Sequence, residues 1–213
     1  MTDDPRKISL LMSLRAGGVR DRRVLEAIET VPRELFVEKT FADQAYADQP
    51  LPIDCGQTIS QPFIVGFMTD RLEVKDRHTV LEIGTGSGYQ AAILSKLCRR
   101  VVTIERYRTL AKQAEERFKT LKLSNVTQIV GDGSKGWPQL APFERIIVTA
   151  AAKELPQALV DQLAVGGVMV LPIEERPGKQ DLYRIRKTED GVVQEHLLPV
   201  RFVPLVEGLA RDG

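Results

Sequence analysis

Cysteine is scarce in this chain: two residues, Cys55 and Cys98, in a total of 213, with no CxxC pair. So few thiols exclude a disulfide scaffold and lead to the expectation of a reduced, cytoplasmic setting. Cys98, in AAILSKLC, reads as a small core hydrophobe. Histidine is equally rare. His78 and His196 are the only two, and neither stands at a metal-ligand spacing, so no metal site is expected. Charge of one sign is also missing. Thirty Lys and Arg against 29 Asp and Glu leave a net charge of +1. That balance lacks the basic field that nucleic acid or an anionic membrane attracts, so neither is an expected partner. No run approaches the roughly 18 apolar residues of a membrane-spanning helix, and MTDDPRK has no apolar leader region.

What is present is an ordinary globular composition, 43% hydrophobic and 28% charged. The length suits one domain over 1–213, with a helical and loop-like segment (1–75) before a sheet core (76–213). Val24, Leu25, Ile28 and Val31 form one amphipathic face that Pro32 ends. FADQAYADQPLPIDCGQTISQP has no period and reads as ordered loop with short turns, after which FIVGFMTDRL resumes a helical stripe. From Thr79 the rhythm changes. TVLEI, VVTIE, VTQIV, ERIIVT and VMVLP are short β-branched runs suited to a buried parallel sheet. Helical patterns at Tyr89–Leu97, Tyr107–Leu121 and Glu154–Ala164 alternate with them. The expected fold is therefore α/β, a doubly wound and mostly parallel sheet with right-handed crossovers. DLYRIRK and VVQEHLL around EDG predict an antiparallel hairpin at its C-terminal edge.

The string with most chemical content is VLEIGTGSGYQAA, residues 80–92. A strand runs into Gly84, Gly86 and Gly88, and a helix follows, which is the context in which a glycine loop lets a ligand approach the backbone. The NAD form requires Gly or Ala three residues after the second glycine, where Tyr89 stands. With Glu82 two residues before the first glycine, ExGxGxG resembles instead the S-adenosylmethionine loop of class I methyltransferases. Glu105 closes the second strand about twenty residues on, the spacing at which an acid accepts from both hydroxyls of a ribose. Asp132, in VGDG after the third strand, suits the exocyclic amine of adenine, and Gly133 would let the ring lie flat. These strand ends line one crevice at the carboxyl edge of the sheet.

The fourth strand ends in VTAAA, without the Asn-Pro-Pro-Tyr type of sequence found in amino-group nucleic-acid methyltransferases. No general base stands out. Methylation of a neutral amine or hydroxyl requires a proton to leave, whereas a carboxylate is already an anion at pH 7. A carboxylate acceptor is the expectation.

The pieces AYADQPLPI (45–53), GQTISQP (56–62), VLEIGTGSGYQAA (80–92), GDGSKGWP (131–138), LAVGGVMVLPI (163–173) and VRFVPL (200–205) together resemble the protein-L-isoaspartate O-methyltransferases, in family order and across nearly the whole chain. The resemblance implies methyl transfer from S-adenosyl-L-methionine to the free α-carboxyl of L-isoaspartyl residues in damaged proteins and peptides. It implies Ser60 as the active-site serine, with Thr58 and Ile59 beside the cofactor, and Val203, Pro204 and Leu205 along the bound peptide. A hydroxyl at Ser60 would hold one carboxylate oxygen and aim the other, with no covalent nucleophile; no GxSxG elbow surrounds it. Glu144 and Thr149 depart from the Asp and Gly common in the family. No ligand contact is expected in the VEGLARDG tail, and a monomer is expected. The alternatives are a methyltransferase acting on a small molecule or RNA, and a binding module that kept the cofactor pocket without catalysis.

Overall fold

The computed structural model describes residues 4–210. Met1–Asp3 and the last three residues of the VEGLARDG tail lie outside them.

Two capped helices open the chain. Asp4 accepts from the Arg6 amide at the start of α1 (Pro5–Ala16), and Asp21 does the same for the Arg23 amide at α2 (Arg22–Thr30). Val24, Leu25, Ala27 and Ile28 are the buried face of α2, and Val31 leaves the helix in extended backbone before Pro32. The aperiodic stretch that follows contains 3-10 turns and a two-residue antiparallel pair, β1 (Leu51–Pro52) with β2 (Thr58–Ile59). Helix α3 (Pro62–Leu72) begins with proline at its first turn, where a missing N–H costs nothing.

The core then alternates β3 (Thr79–Ile83), α4 (Tyr89–Ser95), β4 (Arg100–Glu105), α5 (Arg108–Thr120), β5 (Val126–Val130), β6 (Phe143–Val148), α6 (Gln157–Asp161) and β7 (Leu163–Arg176). A final meander adds β8 (Lys179–Thr188) and β9 (Gly191–Val200). The sheet order is β5-β4-β3-β6-β7-β8-β9, parallel through β7 and antiparallel from there to the edge. This is the class I methyltransferase arrangement, with the expected edge hairpin at Asp190-Gly191.

Two local expectations are corrected. The third crossover helix is only Gln157–Asp161, because Pro156 delays its start and Leu163 already pairs with Phe143 as strand. The VMVLP strand is the middle of a longer one, β7, which folds back on β8 through a turn at Pro177-Gly178.

Buried side chains alternate between the two sheet faces. Leu81, Ile83, Val102, Ile104, Ile146 and Val148 face α6, and Val80, Val101, Ile147, Val168 and Val170 face the other helices. That second cluster continues without a break into Leu10, Leu14, Val24, Ile28, Phe36 and Ile59, so the N-terminal segment is packed against the sheet.

Candidate active site

The chain winds outward from β3 through β4 to β5 and returns to β6 on the other side of β3. At such a reversal the loops leaving adjacent strands diverge, and a crevice opens beyond the carboxyl ends. A cleft of about 810 Å³, part of it open to solvent, lies there. Its floor comes from Gly84–Ser87 after β3, Glu105–Tyr107 after β4, Gly133 after β5 and Thr149–Ala150 after β6. Gln57–Ser60 and Val203–Val206 complete its lining. Its size and its mix of apolar walls with a few polar groups suit a small-molecule site.

The loop conformation follows from glycine at two positions. Gly84 has φ +94°, and a Cβ there would lie 2.5 Å from Thr149 Oγ1. Gly86 has φ +53°, and a Cβ there would meet only Ile53 Cδ1 at 3.8 Å, so open space adjoins the backbone on the cleft side. Thr149, one of the two departures from the family pattern, clamps β6 to β3. Its amide donates to Ile83 O at 2.9 Å, and its hydroxyl lies 2.7 Å from Gly84 O. The other departure, Glu144, accepts from the Thr79 amide at 2.9 Å, joining the same two strands at their opposite ends.

Glu105 is buried, yet its carboxylate reaches the cleft wall. Oε2 accepts from the Gly86 amide at 2.8 Å, and Oε1 accepts from the amides of Arg106 and Tyr107 at 2.8 and 3.0 Å. A carboxylate offers about four lone-pair sites, so roughly one is left for a ligand hydroxyl.

Three residues expected on the ligand are not on the wall. Glu82 is fully buried behind the loop, with no hydrogen-bond partner for either oxygen. Desolvation pushes its carboxyl up to about 8; the nearby Thr103 hydroxyl opposes the shift and Glu105 adds to it. Gly88, at φ +89°, starts α4, and a Cβ there would lie 2.8 Å from Phe118 Cε1, so it serves helix packing. Asp132 caps a 3-10 turn, its Oδ1 accepting from the Ser134 amide and hydroxyl at 3.1 and 2.6 Å. Gly133, beside it, does line the cleft, against Ile83.

Glu82 makes a pH dependence predictable. Its folded value lies above the ordinary carboxyl value of 4.5, so the folded chain holds a proton that the unfolded chain releases. Stability then falls as pH rises between about 4.5 and about 8, by at most about 1.4 kcal/mol per pH unit. Glu82→Gln should remove that slope, raising the melting temperature at pH 8 relative to pH 5. Parallel melting curves for the two proteins across this range would exclude a neutral Glu82.

Thr58, Ile59 and Ser60 all line the cleft. Their strand is held from outside, since Ser60 O accepts from Arg33 Nη2 at 2.9 Å. Just beyond it, Asp48 accepts from Gln61 Nε2 and the Phe63 amide at 3.0 and 2.8 Å. Val203, Pro204 and Leu205 also line the cleft, strapped to Ala151 by bonds from the Ala151 amide to Val203 O and from the Leu205 amide to Ala151 O, at 2.8 and 2.7 Å. Arg106, Tyr107 and Val206 are wall residues that motif reading missed. The first two directly follow Glu105 and could have been found by extending that motif. Val206 belongs to the tail where no contact was expected; Arg106 draws the tail in by bonding to Gly208 O at 3.1 Å.

The family described as Protein-L-isoaspartate(D-aspartate) O-methyltransferase (PCMT) matches residues 5–210. A protein-L-isoaspartate O-methyltransferase from Parvibaculum lavamentivorans is 62% identical over 209 residues, covering 97% of this chain and 94% of its own. Among solved structures, a protein-L-isoaspartate O-methyltransferase superposes with TM-score 0.84 at 29% identity, over 93% of this chain and 65% of that one. The Plasmodium falciparum protein of that name, solved with S-adenosyl-L-homocysteine, gives TM-score 0.80 at 30% identity, over 96% of this chain and 99% of that one. The family match and these relatives cover all but the ends of this chain, and the chain belongs to the protein-L-isoaspartate(D-aspartate) O-methyltransferase family.

Proposed function

We infer that this protein methylates the free α-carboxyl of L-isoaspartyl residues in damaged proteins and peptides, using S-adenosyl-L-methionine. The observation that carries the reading is the meeting of Thr58–Ser60, from the N-terminal segment, with Gly84–Gly86 and Glu105 in one cleft. The residues fit a nucleoside-bearing cofactor. Gly84 and Gly86 leave the backbone accessible, Glu105 offers a remaining acceptor to a ribose hydroxyl, and Ile83, Ile104 and Leu110 supply apolar wall. When bound, S-adenosyl-L-methionine supplies an electrophilic methyl group on a sulfonium.

The chain's own contribution is positioning. The Ser60 hydroxyl donates to one oxygen of the acceptor carboxylate and so orients the other. No base is required, because that carboxylate is ionised at neutral pH. Val203–Leu205 form a fixed rim on which the peptide backbone can lie. The following backbone amide nitrogen then attacks the ester carbonyl, loses its proton and expels methanol, a far better leaving group than the oxygen of a free carboxylate. Water opens the resulting succinimide, in part to normal aspartate.

No helix among the described residues is long and apolar enough to cross a membrane. The near-balanced charge of +1 and the two thiols support proteins and peptides, not nucleic acid or an anionic membrane, as partners in a reducing compartment, and on this reading the protein is a cytoplasmic monomer.

Paired peptides differing only in the α or β linkage of one aspartyl residue test the activity. Labelled methyl is expected in the isoaspartyl peptide and at background in its normal partner. Equal labelling of both, or transfer to RNA or small molecules alone, would transfer the site to a different acceptor.

A further inference from the structure

Arg33 is fully buried in the 3-10 turn Arg33–Phe36. Among the described residues no carboxylate forms an ion pair with it. Its Nε donates to Ala45 O at 2.8 Å and its Nη2 to Ser60 O at 2.9 Å, while Nη1 has no acceptor. Its guanidinium carbon lies 4.8 Å from the centroid of the Tyr89 ring. Burial lowers the pKa of this guanidinium, which marks a cation held against its desolvation cost. Well-packed apolar residues commonly fill such places at equal or better stability. Packing alone therefore does not account for a charge here.

Its contacts supply a reason. Ala45 precedes the β1–β2 pair, Ser60 directly follows it, and Tyr89 is the first residue of α4, directly after the glycine loop and on the cleft wall. A guanidinium presents its donors in a rigid plane, so it can hold two carbonyls at one spacing while resting flat on an aromatic ring. Gripping the Ser60 carbonyl fixes the peptide plane after Ser60 and hence the direction of its Cα–Cβ bond. The contact of the guanidinium with the Tyr89 ring, 4.8 Å from guanidinium carbon to centroid, refers that direction to the start of α4.

We propose that Arg33 is a positioning residue for methyl transfer, setting the placement of the Ser60 hydroxyl relative to the cofactor loop. The proposal rests on the reading of Ser60 as the residue that orients the acceptor carboxylate.

The test is a double-mutant cycle with Arg33→Lys and Ser60→Ala, measuring kcat and KM on an isoaspartyl peptide, affinity for S-adenosyl-L-homocysteine by calorimetry, and melting temperature. Lysine keeps the charge but not the planar pair of donors. Arg33→Lys is expected to lower kcat by roughly 10- to 100-fold, the scale of an ångström-level misplacement, with KM and cofactor-product affinity within about threefold. In the Ser60→Ala background the same change should cost less than about threefold, because coupled residues are not additive. Arg33→Met, which removes charge and donors together, provides a second cycle should the lysine variant not fold. An unchanged kcat in Arg33→Lys, an equal loss in both backgrounds, or failure of both variants to fold would each overturn the proposal. Full activity of Ser60→Ala alone would instead defeat the reading of Ser60, a result visible before Arg33 is changed.

Discussion

Ser60→Ala is expected to lower kcat on an isoaspartyl peptide by about 100-fold, while S-adenosyl-L-homocysteine binds within about threefold of its affinity for the unaltered protein. The magnitude follows from what the hydroxyl does. The acceptor carboxylate loses its charge as it gains the methyl group, so a hydrogen bond to it weakens along the reaction and cannot act as an oxyanion hole does. What remains is orientation, where an ångström of misplacement is worth about two orders of magnitude. Ser60 lines the cleft, and its segment is held by Arg33 and, just after it, by Asp48. Removing one hydroxyl leaves that frame and the glycine loop in place, which is why cofactor affinity is retained. Residual turnover distinguishes this role from a covalent nucleophile, whose loss would abolish the reaction. A kcat within twofold of the unaltered protein would show that the carboxylate is aimed by another group.

Glu105→Ala should have the second largest effect, on binding. The carboxylate accepts from three backbone amides, Gly86, Arg106 and Tyr107. Its removal leaves these donors to water and takes an acceptor from the cleft wall, at about 1–3 kcal/mol for each group left buried and unpaired. The expected result is at least a 100-fold loss of affinity for S-adenosyl-L-homocysteine, about 2.7 kcal/mol, together with a lower melting temperature from the released loop. Glu105→Gln keeps one carbonyl oxygen and should lie between the two. Calorimetric titration of both variants separates the contributions: Gly86 bonds to one oxygen, while Arg106 and Tyr107 share the other. Unchanged affinity in Glu105→Ala would place the ribose away from this residue.

The strands were legible because TVLEI, VVTIE, VTQIV and ERIIVT are β-branched runs; three of them are buried on both faces, VTQIV is the partly buried edge strand, and each became a strand of the parallel sheet. The helix drawn over Glu154–Ala164 was too long because leucines at steps of four also suit a short helix running into a strand. Pairing of Leu163 with Phe143, a long-range contact, decided between them. At the site, sequence spacing brought out Gly84, Gly86 and Glu105, while Ser60 and the 203–205 strap came from the family resemblance; all of them reach the cleft. It could not rank the acids. Glu82 and Glu105 both stand near the end of a strand, but Glu105 is the last residue of β4, while Glu82 is the penultimate residue of β3 and lies under the loop that follows.

Local chemistry, then, determined what the chain is built from: β-branched runs that become strands, a glycine-rich turn between strand and helix, and an acid at the end of the next strand. These are patterns read along the chain, from residue type and spacing alone. Only the tertiary structure decided which polar groups face the cleft, that Thr149 locks Gly84 in place, and that Arg33, fifty residues before the glycine loop, touches both Ser60 and Tyr89. Such contacts join segments far apart in the chain, and their geometry arises from packing that no local pattern encodes.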